Sequence, residues 1–548
     1  MKKVVIIGGV ATGASAAARL RRLDETMEIV IIERGEYISF ANCGLPYYIG
    51  DVITDRDELL MATPKLMKDR FHIDVRIHSE VTKINPSKNS VTVQSVEKGT
   101  YEETYDYLII APGAKPIDFN FNGVKSNKVF TLRNMYDTDR IKTALHDVQK
   151  AIIIGGGYIG VEMAENLVEK NIEVTLVQAL PHILAPFDDD MVILAENEMR
   201  QKGVNLLLSE KAVALHETAT GVSLELEGGN YVEGNILISA IGVVPDTDFL
   251  KDSGITLGKR GHIITNEHMQ TNIPNIYAGG DAVLVTDFVT KQETAVPLAG
   301  PANKHGRIIA DNICNIPSIY KDTQGSTVIK VFDLTLAATG NTERQLSLQG
   351  IEHQTLIIHP NHHAVYYPGA EPITLKLIFN SKGAILGAQG IGTNGVDKRI
   401  DVIATLLRMG GTIHDLVDLE LCYAPPYGSA KDPVNFAGYV AENVLSKKTE
   451  LVHPRELQKI KNNPNIVVLD VRTKGERNDG KVDGSVHINV NELRDRLSEL
   501  DKNKEYWIYC AVGVRAYVAE RILKQHGFQC KNIIGGYQTI SALGLIVP

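Results

Sequence analysis

Cysteine is scarce: the 548-residue chain has five, Cys43, Cys314, Cys422, Cys510 and Cys530. None pair as CxxC and no Cys/His group has zinc-ligand spacing, so no metal site is expected. So few thiols in so long a chain point to a reducing compartment, where a thiol survives for chemistry. Basic charge is also short, with 57 Lys and Arg against 66 Asp and Glu and a net charge of −9. No global basic field exists to hold a phosphate backbone, and nucleic acid is not an expected partner. Long apolar runs are missing too: no stretch reaches the roughly 18 residues of a membrane span. The apolar start Val4-Val5-Ile6-Ile7 breaks at Gly8-Gly9 and reads as a buried first strand rather than a signal peptide. A cytoplasmic protein without a membrane partner is expected. Disorder is excluded by 44% hydrophobic and 22% charged residues. At about 150 residues per domain the length predicts three or four domains.

Glycine is plentiful, with 47 residues, and much of it clusters after apolar strands. Val4–Ile7 leads into Gly8-Gly9-Val10-Ala11-Thr12-Gly13 and a small-residue helix, and a second strand, Glu28–Ile32, ends at Glu33. The grammar repeats: Ala151–Ile154 leads into Gly155-Gly156-Gly157-Tyr158-Ile159-Gly160, a helix to about Glu169 and a strand Glu173–Val177. Each is a βαβ unit whose glycine turn opens a helix N-terminus, the geometry that receives a pyrophosphate. Two dinucleotide sites in one chain point to electron transfer between two cofactors. Glu33 stands twenty residues past Gly13, placed to accept from a ribose. Gln178 takes that place in the second unit, and Ala179 rather than an arginine follows it. That predicts NADH in preference to NADPH. Strand ends at Ala111-Pro112-Gly113 and at Gly279-Gly280-Asp281 recur in matching contexts.

The most informative stretch is Ser39-Phe40-Ala41-Asn42-Cys43-Gly44-Leu45-Pro46-Tyr47-Tyr48. Cys43 would start a helix, whose N-terminus depresses a thiol pKa. Tyr48 stands where a second redox cysteine would be expected. A lone redox cysteine works through a mixed disulfide, a sulfenic acid or a persulfide.

On these residues, with Tyr423-Ala424-Pro425-Pro426-Tyr427 and Lys431-Asp432-Pro433, residues 1 to about 445 resemble a known family. It is the coenzyme A-disulfide reductase branch of the single-cysteine flavin disulfide reductases, kin to NADH peroxidases and oxidases. The resemblance implies FAD, NADH and coenzyme A, a homodimer, and Cys43 in a mixed disulfide with coenzyme A. It implies cofactor contacts at Gly8, Val10, Ala11, Gly13, Glu33, Arg34, Val81, Ala111, Gly113 and Asp281, and at Gly155, Gly157, Gly160 and Gln178. For the substrate it implies Ser39 and Asn42 beside the thiol, Arg19 and Arg22 at the phosphate-bearing end, and Lys431. Tyr423 and one of Tyr366 or Tyr367 would face the cysteine of the partner subunit.

The C-terminal segment resembles a rhodanese domain through Leu469-Asp470-Val471-Arg472, Gly484-Ser485-Val486-His487-Ile488 and Cys510-Ala511-Val512-Gly513-Val514-Arg515. Cys510 ends a strand and opens a loop closing at Arg515; inward N–H groups in such a nest stabilise a thiolate or persulfide. Cys530 reads as an ordinary strand-start cysteine, and Cys314 and Cys422 as structural. His359, His362 and His363 read as a loop, Asp188-Asp189-Asp190 as a solvated helix start.

The expected architecture is α/β. It comprises an FAD-binding domain over 1–115 and 241–324, an NAD(P)H-binding domain over 116–240, and an α+β dimerisation domain over 325–445. A linker over 446–452 and a rhodanese domain over 453–548 follow. The expected function is NADH-dependent reduction of coenzyme A persulfide with release of sulfide, Cys510 carrying sulfane sulfur. The alternatives are coenzyme A disulfide reduction as the main activity, an NADH oxidase or peroxidase cycling Cys43 through sulfenic acid, and a redox-sensing binding module.

Overall fold

The computed structural model describes residues 2–117, 126–461 and 463–547. The chain is α/β and divides into two compact units, one of residues 1–183 and 203–323, the other of residues 184–202 and 324–548.

In the first unit, the apolar runs that alternate with glycine loops become the centres of two parallel sheets. Lys3–Ile7 pairs on one side with Glu28–Ile32 and on the other with Tyr107–Ile110, with Asp74–Arg76 and Ile276–Ala278 at the edges. Val4, Val5 and Ile6 are fully buried, each side chain contributing about 1.5–3 kcal/mol of apolar transfer. Helices pack on this sheet, and the antiparallel strands Ser79–Asn85 and Ser90–Ser95 add Val81, Ile84, Val91 and Val93 to the same core; covered in this way, its strands read as unbroken apolar runs. The second sheet repeats the order: Lys150–Ile154 lies between Glu173–Gln178 and Ile236–Ser239, flanked by Asn205–Leu208 and Val129–Thr131. The chain leaves the first sheet through Ala114–Pro116 and returns through Val243–Pro245, and these two segments pair antiparallel. Helix Ala299–Ile313 packs along helix Ala11–Leu23, with Gly306 against the Thr12 carbonyl.

The second unit holds two sheets. One is antiparallel, in the order Thr327–Val331, Leu334–Gly340, Ile385–Gly392, Thr374–Phe379, Gln354–Ile358, with helix Val396–Arg408 against it. The other is parallel, in the order Leu451–Val452, Gln529–Ile533, Glu505–Tyr509, Ile466–Asp470, Val486–His487. The segment read from sequence as a linker is therefore not a free tether. Leu451–Val452 is an edge strand, Thr449 is buried on Glu520, and Glu520 also accepts from the Glu450 N–H at 2.9 Å. No helix among the described residues is long and apolar enough to cross a membrane.

Candidate active site

The two glycine loops are built alike, atom for atom. Gly8 sits at φ +88°, where a Cβ would stand 2.2 Å from the Ala111 carbonyl oxygen; a Cβ on Gly13 would stand 1.9 Å from that of Gly8. In the second loop Gly155 sits at φ +102° with the Ala240 carbonyl at 2.3 Å, and Gly160 has that of Gly155 at 1.9 Å. Only glycine fits where strand, loop and helix close on one another. The middle position differs: Val10 and Gly157 each precede a helix, at Ala11 and Tyr158, and no side chain caps either one at that position. Both helix N-termini thus present backbone N–H groups for an anion, and around Gly157 there is open space. At the strand ends, Glu33 accepts from the Gly9 and Gly35 N–H groups at 3.1 and 2.9 Å. Gln178 accepts from Gly156 at 3.2 Å and donates to the His182 carbonyl at 3.1 Å. Each is held by the second residue of its own loop. These cradles fit two dinucleotide cofactors.

Around the first cradle, Arg34 pairs with Asp246 at 2.5 Å, Val81 is buried in strand Ser79–Asn85, and the Ala111 N–H donates to Ile7 at 2.9 Å. Gly113 is at φ +72°, its Cβ position 2.8 Å from an Arg133 Nη. Arg133 also donates to the Ala114 carbonyl at 2.7 Å and, with the Asn42 amide turned to satisfy both groups, to Asn42 at 2.6 Å. The sequence reading missed it.

Cys43 is exposed and lies within a single 3₁₀ turn, Asn42–Gly44, ahead of the five-residue helix Leu45–Ile49. The expected lowering of its pKa is overturned. So short a helix has little macrodipole, and the desolvating protein around the thiol, then the Glu162 and Asp281 carboxylates, push it up. Glu162 is itself pushed up to about 7, by burial and then by Glu165, and it shares a hydrogen bond with Tyr47. Burial also raises Asp281, against the pull of Arg133. Glu162 shares its face of helix Tyr158–Glu169 with Glu165, Asn166 and Glu169, so no local signal set it apart.

A cleft of about 490 Å³ brings together Arg19, Arg22 and Ser39 with Ser15, Arg70, Asn303 and Arg307. Four arginines on one cleft suit a ligand bearing several phosphates. Arg19 is oriented by Asp311, its Nε 2.8 Å from Oδ1. Arg70 and Arg307 come from other helices, so no local motif announces them.

In the second unit the hydroxyls of Tyr366 and Tyr423 meet at 2.8 Å. Tyr367 instead packs its ring edgewise on His363, whose Nε2 lies 3.2 Å from the Tyr367 carbonyl. Lys431 is exposed, next to Asp432, which caps helix Pro433–Leu445 and binds Arg399 at 3.0 Å. Cys510 is fully buried at the end of strand Glu505–Tyr509, and its Sγ accepts from the Gly513 N–H at 3.1 Å. Arg515 is bound by both carboxylate oxygens of Glu476, a partner the sequence did not reveal. Cys530 is buried in strand Gln529–Ile533 and burial pushes it up to about 12. Cys314 is partly buried; Cys422 is exposed beside Tyr423.

One expectation fails here. Asp188 and Asp190 are buried rather than solvated, because Lys376, itself 1% exposed, lies 3.1 and 2.9 Å from them and the Glu343 and Arg344 N–H groups donate to Asp188. His359 lies in a loop, as expected, just past strand Gln354–Ile358, and its ring bridges the Thr374 and Thr539 hydroxyls at 3.0 and 2.8 Å.

Comparison with known proteins accounts for this pattern of cradles and thiols. Residues 2–306 match the pyridine nucleotide-disulphide oxidoreductase family, residues 326–433 its dimerisation domain and residues 453–543 the rhodanese-like domain. The chain belongs to the pyridine nucleotide-disulphide oxidoreductase family. Among relatives in the family, the coenzyme A disulfide reductase of Staphylococcus haemolyticus is 36% identical over 451 residues, 81% of this chain and 100% of that one. A crystal structure of reduced Bacillus anthracis CoADR-RHD superposes with a TM-score of 0.97 at 47% identity, covering 100% of this chain and 99% of that one. The NAD-dependent persulfide reductase from A. fulgidus gives 0.93 at 35% identity, covering 98% and 99%. This family member is an oxidoreductase that uses a flavin and a nicotinamide dinucleotide.

Proposed function

We propose that the protein is an FAD-dependent, NADH-using reductase of coenzyme A-linked sulfur, with persulfide as the favoured substrate and coenzyme A disulfide as the second. The observation that carries this reading is the exposed thiol of Cys43, four residues beyond Ser39, which lines an arginine-rich cleft. The polyphosphate end of coenzyme A fits Arg19, Arg22, Arg70 and Arg307, leaving its flexible arm to reach the cysteine.

Gly8, Val10, Ala11, Gly13, Glu33, Arg34, Val81, Ala111, Gly113 and Asp281 would hold FAD. Gly155, Gly157, Gly160 and Gln178 would hold NADH, the amide of Gln178 offering no cation for a 2′-phosphate. The bound flavin supplies two electrons taken from NADH. The Cys43 thiolate attacks the carbon-bound sulfur of the persulfide, hydrosulfide leaves with the electron pair, and a mixed disulfide with coenzyme A remains. Two electrons break it, returning the thiolate and coenzyme A. In a homodimer, the Tyr366–Tyr423 pair of one protomer faces the Cys43 of the other and gives the departing thiolate its proton; Lys431 assists in binding the substrate. Cys510 carries sulfane sulfur, and Arg515 holds its charge.

Anaerobic NADH consumption with coenzyme A persulfide and with coenzyme A disulfide tests the reading. Faster turnover on persulfide with sulfide released, lost in Cys43→Ser while flavin stays bound, is expected. Retained turnover in that variant overturns it. Preference for the disulfide, unchanged in Cys510→Ser, makes disulfide reduction the main activity.

A further inference from the structure

The rhodanese-like domain carries a charge arrangement at its sulfur site that the reduction chemistry does not use. Arg515 is the cation that the Cys510 loop itself brings to the site. Both terminal nitrogens are bound by Glu476, with Nη1 at 2.8 Å from Oε2, and the guanidinium's further interaction is with Cys510. Glu476 is fixed in turn: its Oε2 accepts from the Thr473 N–H at 3.0 Å and hydroxyl at 2.8 Å, closing a capping box on helix Lys474–Asn478. The pair sums to zero charge. On the helix that follows, Val514 and Val518 stand one turn apart and are 50% and 42% exposed, while the Cys510 thiol is fully buried.

We propose that this site accepts sulfane sulfur from persulfides borne on an alkyl arm and discriminates against oxyanion donors of the thiosulfate class, Glu476 being the specificity-determining residue. The proposal rests on the reading of Cys510 as a sulfur carrier. An oxyanion approaching a buried sulfur loses hydration and needs a cation with free donors to replace it. Here Glu476 holds one N–H of each terminal nitrogen of Arg515 and cancels its charge, and the departing sulfite would gather charge beside the Glu476 carboxylate. An alkyl persulfide brings no oxyanion, and its arm suits the apolar ridge of Val514 and Val518. The step balances without a redox partner. The Cys510 thiolate bonds to the outer sulfur, the bond from that sulfur to the carrier breaks, and the carrier leaves as a thiolate with the electron pair.

The test measures sulfur loading on the Cys510 peptide of the full-length holoenzyme by trapping and mass spectrometry, with pantetheine persulfide and with thiosulfate. Loading from the persulfide at least about tenfold faster is expected, the scale of one charge-assisted pair. Glu476→Gln keeps the capping box and frees Arg515. It should raise the thiosulfate rate at least about tenfold relative to the persulfide rate. Equal loading of the wild type from both donors overturns the proposal while leaving Cys510 a carrier, and so does a folded Glu476→Gln variant with an unchanged thiosulfate rate. The wild-type comparison stands alone if that variant does not fold. Loading from neither donor overturns the carrier reading itself.

Discussion

At the scale of single residues, Cys43 is governed by groups distant in sequence. Glu162 sits near neutrality at about 7, so its charge develops as the pH rises through that value, and a neighbouring negative charge raises a thiol pKa. Glu162→Gln removes that charge. Below pH 7 wild type and variant should alkylate at Cys43 at similar rates. Above it the variant should be faster by about three- to tenfold, the effect of a fraction of a pKa unit to one unit. A gap that does not widen with pH would show that Glu162 does not act on the thiol. The same scale explains what motif reading reached. Gly8, Gly13, Gly155 and Gly160 are demanded by contacts inside one βαβ unit or to the next strand, so their spacing betrays them. Arg133, Arg70 and Arg307 owe their places to packing and carry no local mark.

At the scale of elements, the loop at Gly155 and the buried ion cluster of the second unit each make a prediction. Gly155→Ala places a Cβ 2.3 Å from a backbone carbonyl at a positive φ. It should raise KM for NADH at least about tenfold, with the flavin absorbance retained as the control. In the cluster, Asp190 is held down at about 2 by Lys376 and His453, against the cost of burial. Its folded pKa lies below the unfolded value of about 3.9. The stabilisation it brings is therefore present above pH 4 and lost as the pH falls towards 2. Lys376→Met strands the buried carboxylates and should cost about 3–5 kcal/mol, read as a lower apparent Tm at pH 7 with the gap closing in acid. An unchanged Tm would mean that the cluster is neutral to stability. Three consecutive aspartates looked like a solvated helix start because the lysine that buries two of them, Asp188 and Asp190, lies nearly 190 positions further on.

At the scale of the whole molecule, the parallel sheet of the rhodanese-like domain is tied into its unit by polar contacts, some of them buried. His359, buried and kept neutral by desolvation with a pKa of about 4, bridges the two threonine hydroxyls. His453 meets Asp190 at 3.2 Å and Arg455 meets Asp189 at 2.8 Å. His359→Ala leaves Thr374 and Thr539 without that partner, a loss on the order of 1–3 kcal/mol for buried groups. Limited proteolysis should then cut within residues 446–452 several-fold faster than in wild type, since cleavage tracks local opening. Equal cleavage would assign the attachment to the ion pairs and the Leu451–Val452 strand instead.

The fold class, the two glycine cradles, the lone Cys43 in its SFANCGLPYY setting and the Cys510 loop were all determined by the sequence alone. Strand periodicity, turn glycines and short motifs act over a few residues and survive in one dimension. Tertiary structure decided the rest. It paired Tyr423 with Tyr366 rather than Tyr367, raised rather than lowered the Cys43 pKa, buried Asp188 and Asp190 on Lys376, and placed Glu476 on Arg515. Each of these is a matter of which charges and hydroxyls meet after the chain has folded, and burial and electrostatic interaction depend on distance in space, which sequence separation does not encode.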